Sequence, residues 1–329
     1  MIDFSLAGNI QINLNRCNRY IFAKSSCDSC TNICPTDAIK LTPYPSINED
    51  SCIKCGLCYA ACPSTAISIR NDNYRLLNET SSLERIEIGC IFSKAANKVS
   101  CIYRLDHSIL TAWLLMGKPV RIKRGDCKSC KFKNQARLFF EELRIAVRLA
   151  KAADIEPDIK INKSTAEKVH IPKEGLSRRE LLSALKKPSS KPKRILFLKH
   201  LNPIERIECR ITAKITITDS CDLCGICEVV CPTDAILIQK EQRGEVWFNP
   251  AACINCQNCL IGCLRGAIEI ESGYTDLLKA EPEVIFEAKK RICTKCKTPF
   301  YSNSEEEVCP ACKSRDAKKQ SIIDMFKNI

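Results

Sequence analysis

The chain has 329 residues with a formal net charge of +13, and its length suits two to four compact units rather than one small domain. No apolar run approaches the roughly 20 residues that a membrane-spanning helix needs. The most apolar segment, 109–116, is therefore expected to be a core helix. The residues after Met1 show no basic stretch leading into an apolar run, so we expect no export signal and a cytoplasmic location.

Cysteine is the dominant feature of the composition, with 25 residues. In a reducing compartment disulfides do not persist, so clustered Cys-x-x-Cys pairs indicate thiolate ligands for metal. The spacing of the cysteines along the chain then decides which residues share a centre.

One six-residue phrase occurs four times, each time at the end of a run of cysteines. Its copies are Cys34-Pro-Thr-Asp-Ala-Ile, Cys62-Pro-Ser-Thr-Ala-Ile, Cys231-Pro-Thr-Asp-Ala-Ile and Cys263-Leu-Arg-Gly-Ala-Ile. Short alternating segments such as 67–69 and 236–238 follow and predict small strands. The phrases come in two pairs, which predicts two homologous α+β modules at residues 1–80 and 206–273.

The first module contains one complete and one incomplete run of cysteines. The complete run is Cys52, Cys55, Cys58 and Cys62, followed by Pro63, and the incomplete run is Cys27, Cys30 and Cys34. Lys24 stands where the incomplete run should have its first cysteine, and lysine cannot replace a thiolate ligand. Either this centre has three protein ligands, or Cys17 joins it from a longer loop, which is the interpretation we favour.

The segment 81–156 carries four further cysteines, Cys90, Cys101, Cys127 and Cys130. Its pattern predicts a strand at Arg85–Gly89, a helix at Leu105–Met116 and a strand at Val120–Lys123. The cysteine order and this βα pattern, over about 50 residues, resemble the small iron-sulfur delta subunit of hydrogenases linked to heterodisulfide reductase. That resemblance implies a [2Fe-2S] centre; zinc or another metal, and four unligated thiols, are the alternatives.

Residues 157–205 are rich in Lys, Pro and Ser and are expected to form a solvated basic linker. Within the linker, Ser177 is placed to cap a short helix at Arg178–Lys187, with Glu180 completing a capping box.

The second module holds two complete runs in the pattern C-x2-C-x2-C-x3-C. The runs are Cys221, Cys224, Cys227, Cys231 and Cys253, Cys256, Cys259, Cys263, with Pro232 after the first and Leu264 after the second. This pattern resembles bacterial 2[4Fe-4S] ferredoxins. A tight loop of this spacing lets three thiolates reach three irons, while its own N–H groups can point at the sulfurs.

The resemblance implies ligand sets that cross between runs, because the fourth cysteine of each run binds the other cluster in those ferredoxins. The implied sets of the second module are Cys221, Cys224, Cys227, Cys263 and Cys231, Cys253, Cys256, Cys259. Those of the first module are Cys34, Cys52, Cys55, Cys58 and Cys17, Cys27, Cys30, Cys62. We therefore expect four [4Fe-4S] clusters, one of which becomes [3Fe-4S] if Cys17 is not a ligand.

The tail, residues 274–329, contains two Cys-x-x-Cys pairs. They are Cys293, Cys296, Cys309 and Cys312, with 12 residues between the pairs. The pattern resembles a zinc ribbon, in which two knuckles present four sulfurs tetrahedrally. Zinc is the expected ion and rubredoxin-type iron the alternative; the ribbon serves either to fold the tail or to dock a partner.

An electron-relay subunit is the function that these patterns favour. The partners that would fit are a molybdenum or tungsten oxidoreductase, a hydrogenase, a heterodisulfide-reductase-like complex or a soluble ferredoxin. Catalysis by the chain itself, with a catalytic centre at the cysteines of segment 81–156, is the first alternative. A redox-sensing regulatory or nucleic-acid-binding protein is the second.

The positive formal charge is a poor argument for a nucleic-acid partner. If 24 cysteines bind metal as thiolates they contribute −24, and the expected iron-sulfur cores and zinc return about +12. The loaded protein would then carry about +1, so the basic residues largely offset ligand charge and we do not expect nucleic acid to bind.

Overall fold

The computed structural model describes residues 3–4, 10–130, 132, 135–166, 213–272 and 282–327. The helix predicted at Arg178–Lys187 and the single cysteine at position 209 lie outside these described residues. Of the helices described, none is long and apolar enough to cross a bilayer.

The first module consists of short elements that fold back on each other. They are strand β1 (Asp3–Phe4), β2 (Ile10–Ile12), α1 (Asn18–Ile21), α2 (Ser29–Asn32), β3 (Ile39–Lys40), β4 (Ser46–Ile47), α3 (Leu57–Ala61) and β5 (Ile67–Ile69). Strand β2 pairs antiparallel with β5, and β3 pairs with β4. The alternation of isoleucine with polar residues in β5 places Ile67 and Ile69 in the core, as its period of two requires.

The segment after the first module forms a parallel sheet with helices. Its elements are α4 (Asn73–Thr80), β6 (Ile86–Cys90), β7 (Lys98–Val99), α5 (His107–Leu115), β8 (Val120–Arg124), α6 (Ala136–Ala152) and β9 (Ile159–Lys163). The sheet order is β1-β7-β6-β8-β9, and every pairing is parallel. The predicted strand, helix and strand are confirmed by β6, α5 and β8. Strand β9 extends the sheet into the stretch that the sequence assigned to the linker.

One hydrophobic core joins the first module to this parallel sheet. It contains α3 residue Leu57, α4 residue Leu76, β6 residue Ile88 and α5 residue Trp113, all of them buried. Trp113 Nε1 donates a hydrogen bond to Thr80 Oγ1 at 2.8 Å, which satisfies both buried polar groups. The two segments therefore pack as one body.

The second module repeats the topology of the first. Its elements are β10 (Ala213–Ile217), α7 (Ile226–Val229), β11 (Ile236–Lys240), β12 (Arg243–Phe248), α8 (Asn258–Gly262) and β13 (Ile268–Ser272). Strand β10 pairs antiparallel with β13 and β11 with β12, as β2 pairs with β5 and β3 with β4. A short helix carries the third cysteine position of each run in both modules, so the two modules share one arrangement of strands and helices.

The tail continues the sheet of the second module. Its elements are β14 (Glu283–Ile292), β15 (Pro299–Ser302) and α9 (Pro310–Lys327), and the sheet order is β11-β12-β14-β15. Gly244 in β12 lies in close contact with Leu223 of a cysteine loop and with Tyr301 of β15. A Cβ atom there would lie 2.3 Å from Leu223 Cδ1 and 2.7 Å from Tyr301 Cδ1, so this position has no room for a side chain. The tail is thus packed onto the module and is not a separate appendage.

Candidate metal centres

The cysteine loops have a backbone conformation that recurs in all three complete runs. The residues on either side of the second cysteine have positive φ: Lys54 (52°) and Gly56 (76°), Leu223 (55°) and Gly225 (93°), Asn255 (51°) and Gln257 (61°). Two left-handed residues turn the chain sharply, which brings successive cysteines toward one centre. In the incomplete run the residue after Cys27, Asp28, has φ −136°, so this loop follows a different course.

The repeated six-residue phrase also has a common conformation. Its fourth residue is left-handed in every copy: Asp37 (φ 51°), Thr65 (53°), Asp234 (53°) and Gly266 (59°). In three copies the N–H of the following alanine donates back to the cysteine that begins the phrase. These bonds are Ala38 N to Cys34 Sγ at 3.3 Å, Ala235 N to Cys231 Sγ at 3.2 Å and Ala267 N to Cys263 Sγ at 3.3 Å. Such N–H groups stabilise the negative charge of a ligand sulfur.

The first module brings its cysteines together in two groups. Site 1 denotes Cys17, Cys27, Cys30 and Cys62, and site 2 denotes Cys34, Cys52, Cys55 and Cys58. All four cysteines of site 2 line one cavity, walled by apolar side chains that include Ile10 and Ile39. At site 1, burial together with the neighbouring Cys62, Cys27 and Cys17 raises the pKa of Cys30 to about 12. Cys17 therefore lies with the other three cysteines of its implied set.

The second module forms two equivalent groups. Site 3 denotes Cys221, Cys224, Cys227 and Cys263, and site 4 denotes Cys231, Cys253, Cys256 and Cys259. The four cysteines of site 4 line one cavity with Ile215 and Phe248. At site 3, burial raises the pKa of Cys221, and Cys224 and Cys263 act in the same direction. The groups formed in space are the crossed sets that the resemblance implied; their role as ligands stays a prediction.

The donor sets fit a positively charged iron-sulfur core. Burial, with the nearby cysteines of each group acting in the same direction, raises the pKa of Cys55 to about 11 and that of Cys256 to about 12. Four thiolates crowded into one buried pocket would repel each other without a cation. A multi-iron core would supply the compensating charge and bind one sulfur per iron.

The cysteines of segment 81–156 also share one cavity, the middle site. Cys90, Cys101, Cys127 and Cys130 line it together with Phe92 and Phe132. The N–H of Gly125 donates to Cys90 Sγ at 3.2 Å. A side chain at Gly125 would lie 2.7 Å from Phe92 Cβ, so glycine permits this close approach. The sequence pattern thus predicted four cysteines that the fold does bring together, with their metal left open.

The middle site adjoins site 2. Ser100 Oγ donates a 2.6 Å hydrogen bond to the carbonyl oxygen of Cys55 in the buried interior. Burial raises the pKa of Cys101 well above its usual value, and Cys55 is among the thiols that add to this shift. One centre of the first module and the middle site are therefore close neighbours across the shared core.

The tail cysteines form a more compact group, the tail site. All four sulfurs of Cys293, Cys296, Cys309 and Cys312 lie within 4.8 Å of one another, and Cys296 Sγ is 3.7 Å from Cys309 Sγ. A tetrahedral ion with metal–sulfur bonds of about 2.3 Å holds its sulfurs about 3.8 Å apart. The backbone N–H groups of Cys296 and Cys309 lower the pKa of Cys293 to about 6, which favours its thiolate form. This geometry fits a single metal ion.

Several residues beside the centres escaped the sequence patterns. Ser100 stands next to Cys101 but had no assigned role, and Tyr103 belongs to no motif; burial raises the pKa of Tyr103, and Cys127 acts in the same direction. The left-handed positions did leave a signal, because glycine occupies three of them: Gly56 and Gly225 directly follow the second cysteine of a run, and Gly266 is the fourth residue of a repeated phrase.

Two known domain families match parts of the chain. A 4Fe-4S dicluster domain matches residues 220–267, and a 4Fe-4S binding domain matches residues 45–68. These matches cover the cysteine runs of the second module and the complete run of the first.

Curated relatives resemble the chain over short stretches. An uncharacterized ferredoxin of Methanocaldococcus jannaschii is 38% identical over 63 residues, which are 19% of this chain and 42% of the relative. A ferredoxin-like protein in the nif region of Trichormus variabilis is 35% identical over 68 residues, or 18% of this chain and 57% of the relative. The chain thus spans about half the length of the curated relatives it matches. With the fold and the cysteine groups, these matches identify two 4Fe-4S ferredoxin-type domains in the chain.

Proposed function

We propose that the protein is a multi-cluster electron relay that serves a catalytic oxidoreductase partner or exchanges electrons with a soluble ferredoxin. The observation that carries the proposal is the arrangement of sixteen cysteines in four groups; sites 2 and 4 each line a cavity with all four of their cysteines. Each group would hold a [4Fe-4S] cluster, which takes up and releases single electrons. The protein supplies the ligands, the N–H donors and the buried surroundings that set the potential.

The middle site would add a [2Fe-2S] centre to the relay. Cys90 and Cys101 are buried, and Gly125 supplies an N–H donor to Cys90. The contact between Ser100 and Cys55 favours electron exchange with site 2, because it keeps the two sites close across a packed interior. The burial of Cys90 and Cys101 disfavours a substrate-binding position here, so a relay is preferred to a catalytic centre.

The tail site would bind one structural zinc. Its sulfur spacing fits a mononuclear tetrahedral ion, and the strands that carry it continue the sheet of the second module. Zinc binding would then stabilise the tail where it packs beside sites 3 and 4, through the close approach at Gly244.

The metal content and redox behaviour of the anaerobically reconstituted chain test this proposal. We expect about 18 irons per chain with a [2Fe-2S] middle site, or about 16 without one, together with one zinc. The chain should be reduced by a low-potential donor, be reoxidised by an acceptor, and show no turnover of small substrates by itself. Fewer than about 12 irons after full reconstitution would contradict the four-cluster relay, and steady turnover without a protein partner would favour an enzyme.

A further inference from the structure

Arg104 is a fully buried cation at the junction between the first module and the parallel sheet. It ends the 3-10 turn Ile102–Arg104 and has 0% exposure. Its Nη2 donates to the carbonyl oxygen of Asn71, while Nε and Nη1 have no hydrogen-bond partner in the described part of the chain. No other lysine or arginine among the described residues is buried. A guanidinium in this position is unfavourable unless nearby negative charge compensates it.

Four groups face Arg104 from the elements packed around it. Burial lowers the pKa of Arg104, and Tyr59, Asp72, Cys55 and Asp106 act in the opposite direction. Asp72 and Asp106 are the N-cap residues of α4 and α5, and both accept backbone N–H groups. Burial keeps Tyr59 protonated by raising its pKa far above the usual value. Of these four groups, Cys55 is the one that belongs to site 2. A redox reaction at site 2 would therefore change the charge near Arg104.

The position of Arg104 relative to site 2 is fixed by packing. The turn that ends at Arg104 packs against α3, the helix that carries Cys58. Four residues earlier, Ser100 holds the carbonyl of Cys55 at 2.6 Å. The buried segment 100–104 thus links the middle site with site 2. Charges in such an interior are screened less than surface charges, so the guanidinium acts on site 2 through the protein and not through water.

We propose that Arg104 raises the reduction potential of the cluster at site 2 and so favours electron transfer to the centre that adjoins the middle site. A [4Fe-4S] core with four thiolates carries about −2 when oxidised and gains one more negative charge on reduction. A nearby buried cation stabilises the reduced form more than the oxidised form. The inference rests on the proposed function, because it requires a cluster at site 2.

Redox titration of the full-length reconstituted protein, followed by electron paramagnetic resonance, tests the inference. In Arg104→Gln one [4Fe-4S] cluster should become harder to reduce, by on the order of tenfold in its equilibrium constant, which is about 59 mV for one electron. The remaining clusters should keep their potentials. Arg104→Lys keeps the positive charge, so the potential of that cluster should stay nearer to its wild-type value.

Two further variants supply a change of opposite sign and a matched control. Asp72→Asn removes a negative charge that faces Arg104 but keeps a side-chain oxygen to cap α4, so the same cluster should become easier to reduce. Arg75→Gln removes an arginine from the same helix that is half exposed and paired with Glu79 at 3.0 Å. Solvent screens that charge, so its removal should leave all potentials unchanged.

The outcomes separate the inference from the proposed function. Unchanged potentials in Arg104→Gln, with all four [4Fe-4S] signals intact, would overturn the role of Arg104 and leave the relay standing. If that variant loses iron, Asp72→Asn decides: an upward shift supports the inference and an unchanged potential overturns it. A wild-type chain that fails to bind about 16 irons would overturn the proposed function, and the inference with it.

Discussion

Cys17 lies in a well-defined turn and not in a loose loop. It follows the 3-10 turn Leu14–Arg16, and its N–H donates to the Leu14 carbonyl at 3.0 Å. Its own carbonyl accepts the N–H groups of Tyr20 and Ile21 at 2.9 Å as α1 begins. Lys24, at the position where the run lacks a cysteine, is exposed. The chain thus presents a thiol to site 1 from an upstream turn, while the lysine lies at the surface.

Replacing Cys17 by alanine should convert the cluster at site 1 to a three-iron centre or remove it, because three cysteines would remain there. The other three [4Fe-4S] clusters should persist. Electron paramagnetic resonance of the oxidised protein and the iron content would report the change. Cys209→Ala is the matched control, since that cysteine stands outside all the runs, and it should keep the full iron content. A three-iron signal already present in the wild type and unaltered by Cys17→Ala would show that Cys17 is not a ligand.

The sequence predicted the site residues well where the chemistry depends on short spacing. At sites 3 and 4, three cysteines of each group come from one loop of short spacing, and the structure brings them together with a fourth cysteine from the other run. Cys17 was harder, because ten positions separate it from Cys27 and distance along a chain does not fix distance in space. Arg104 could not be predicted as a partner of site 2. Its burial depends on how the 3-10 turn packs against α3, and no local pattern encodes that contact.

At the level of elements, the parallel sheet was predicted only in part. Strands β6 and β8 were found because each has several alternating or apolar residues, whereas the two residues of β7 are too few to show a period. Helix α6 was not predicted, although its sequence carries a signal: Phe139, Ala146, Leu149 and Ala150, which are buried, recur at helical spacing. Strand β9 was not predicted, because its basic residues resemble those of the linker.

The loop after β8 carries two of the four cysteines of the middle site, Cys127 and Cys130. Replacing Cys127 and Cys130 together by serine should remove about two irons and a spectroscopic signal distinct from the [4Fe-4S] set, because both thiols line the cavity of the middle site. The four [4Fe-4S] signals should remain. Ser129→Ala is the matched control: Ser129 lies between the two cysteines and its hydroxyl contacts Asp126, so the iron content should not change. If iron, zinc and spectra of the double variant all match the wild type, these thiols bind no metal.

At the scale of the whole molecule, the described residues form two bodies with separate cores. One core joins the first module to the parallel sheet, and the other belongs to the second module, with a small third cluster around the tail site. Strand β1, near the start of the chain, pairs with β7 of the parallel sheet, which ties the first body together. The bodies touch where Phe22 Cζ lies 3.8 Å from the place that a Cβ of Gly262 would occupy.

This division predicts which fragments of the chain keep their clusters. Fragments 1–166 and 206–329 should each fold and bind about eight irons at their ferredoxin-type sites, with the zinc in the second fragment. Fragment 1–80 should bind less iron and unfold at a lower temperature than fragment 1–166. Without the sheet, side chains such as Leu57 and Leu76 would lose the partners that bury them, and exposure of each large apolar side chain costs about 1.5–3 kcal/mol.

Iron analysis and thermal unfolding of the three fragments provide the measurement. If fragment 1–80 were as stable and as fully loaded as fragment 1–166, the shared core would contribute nothing to the first module, and the module would be an independent domain.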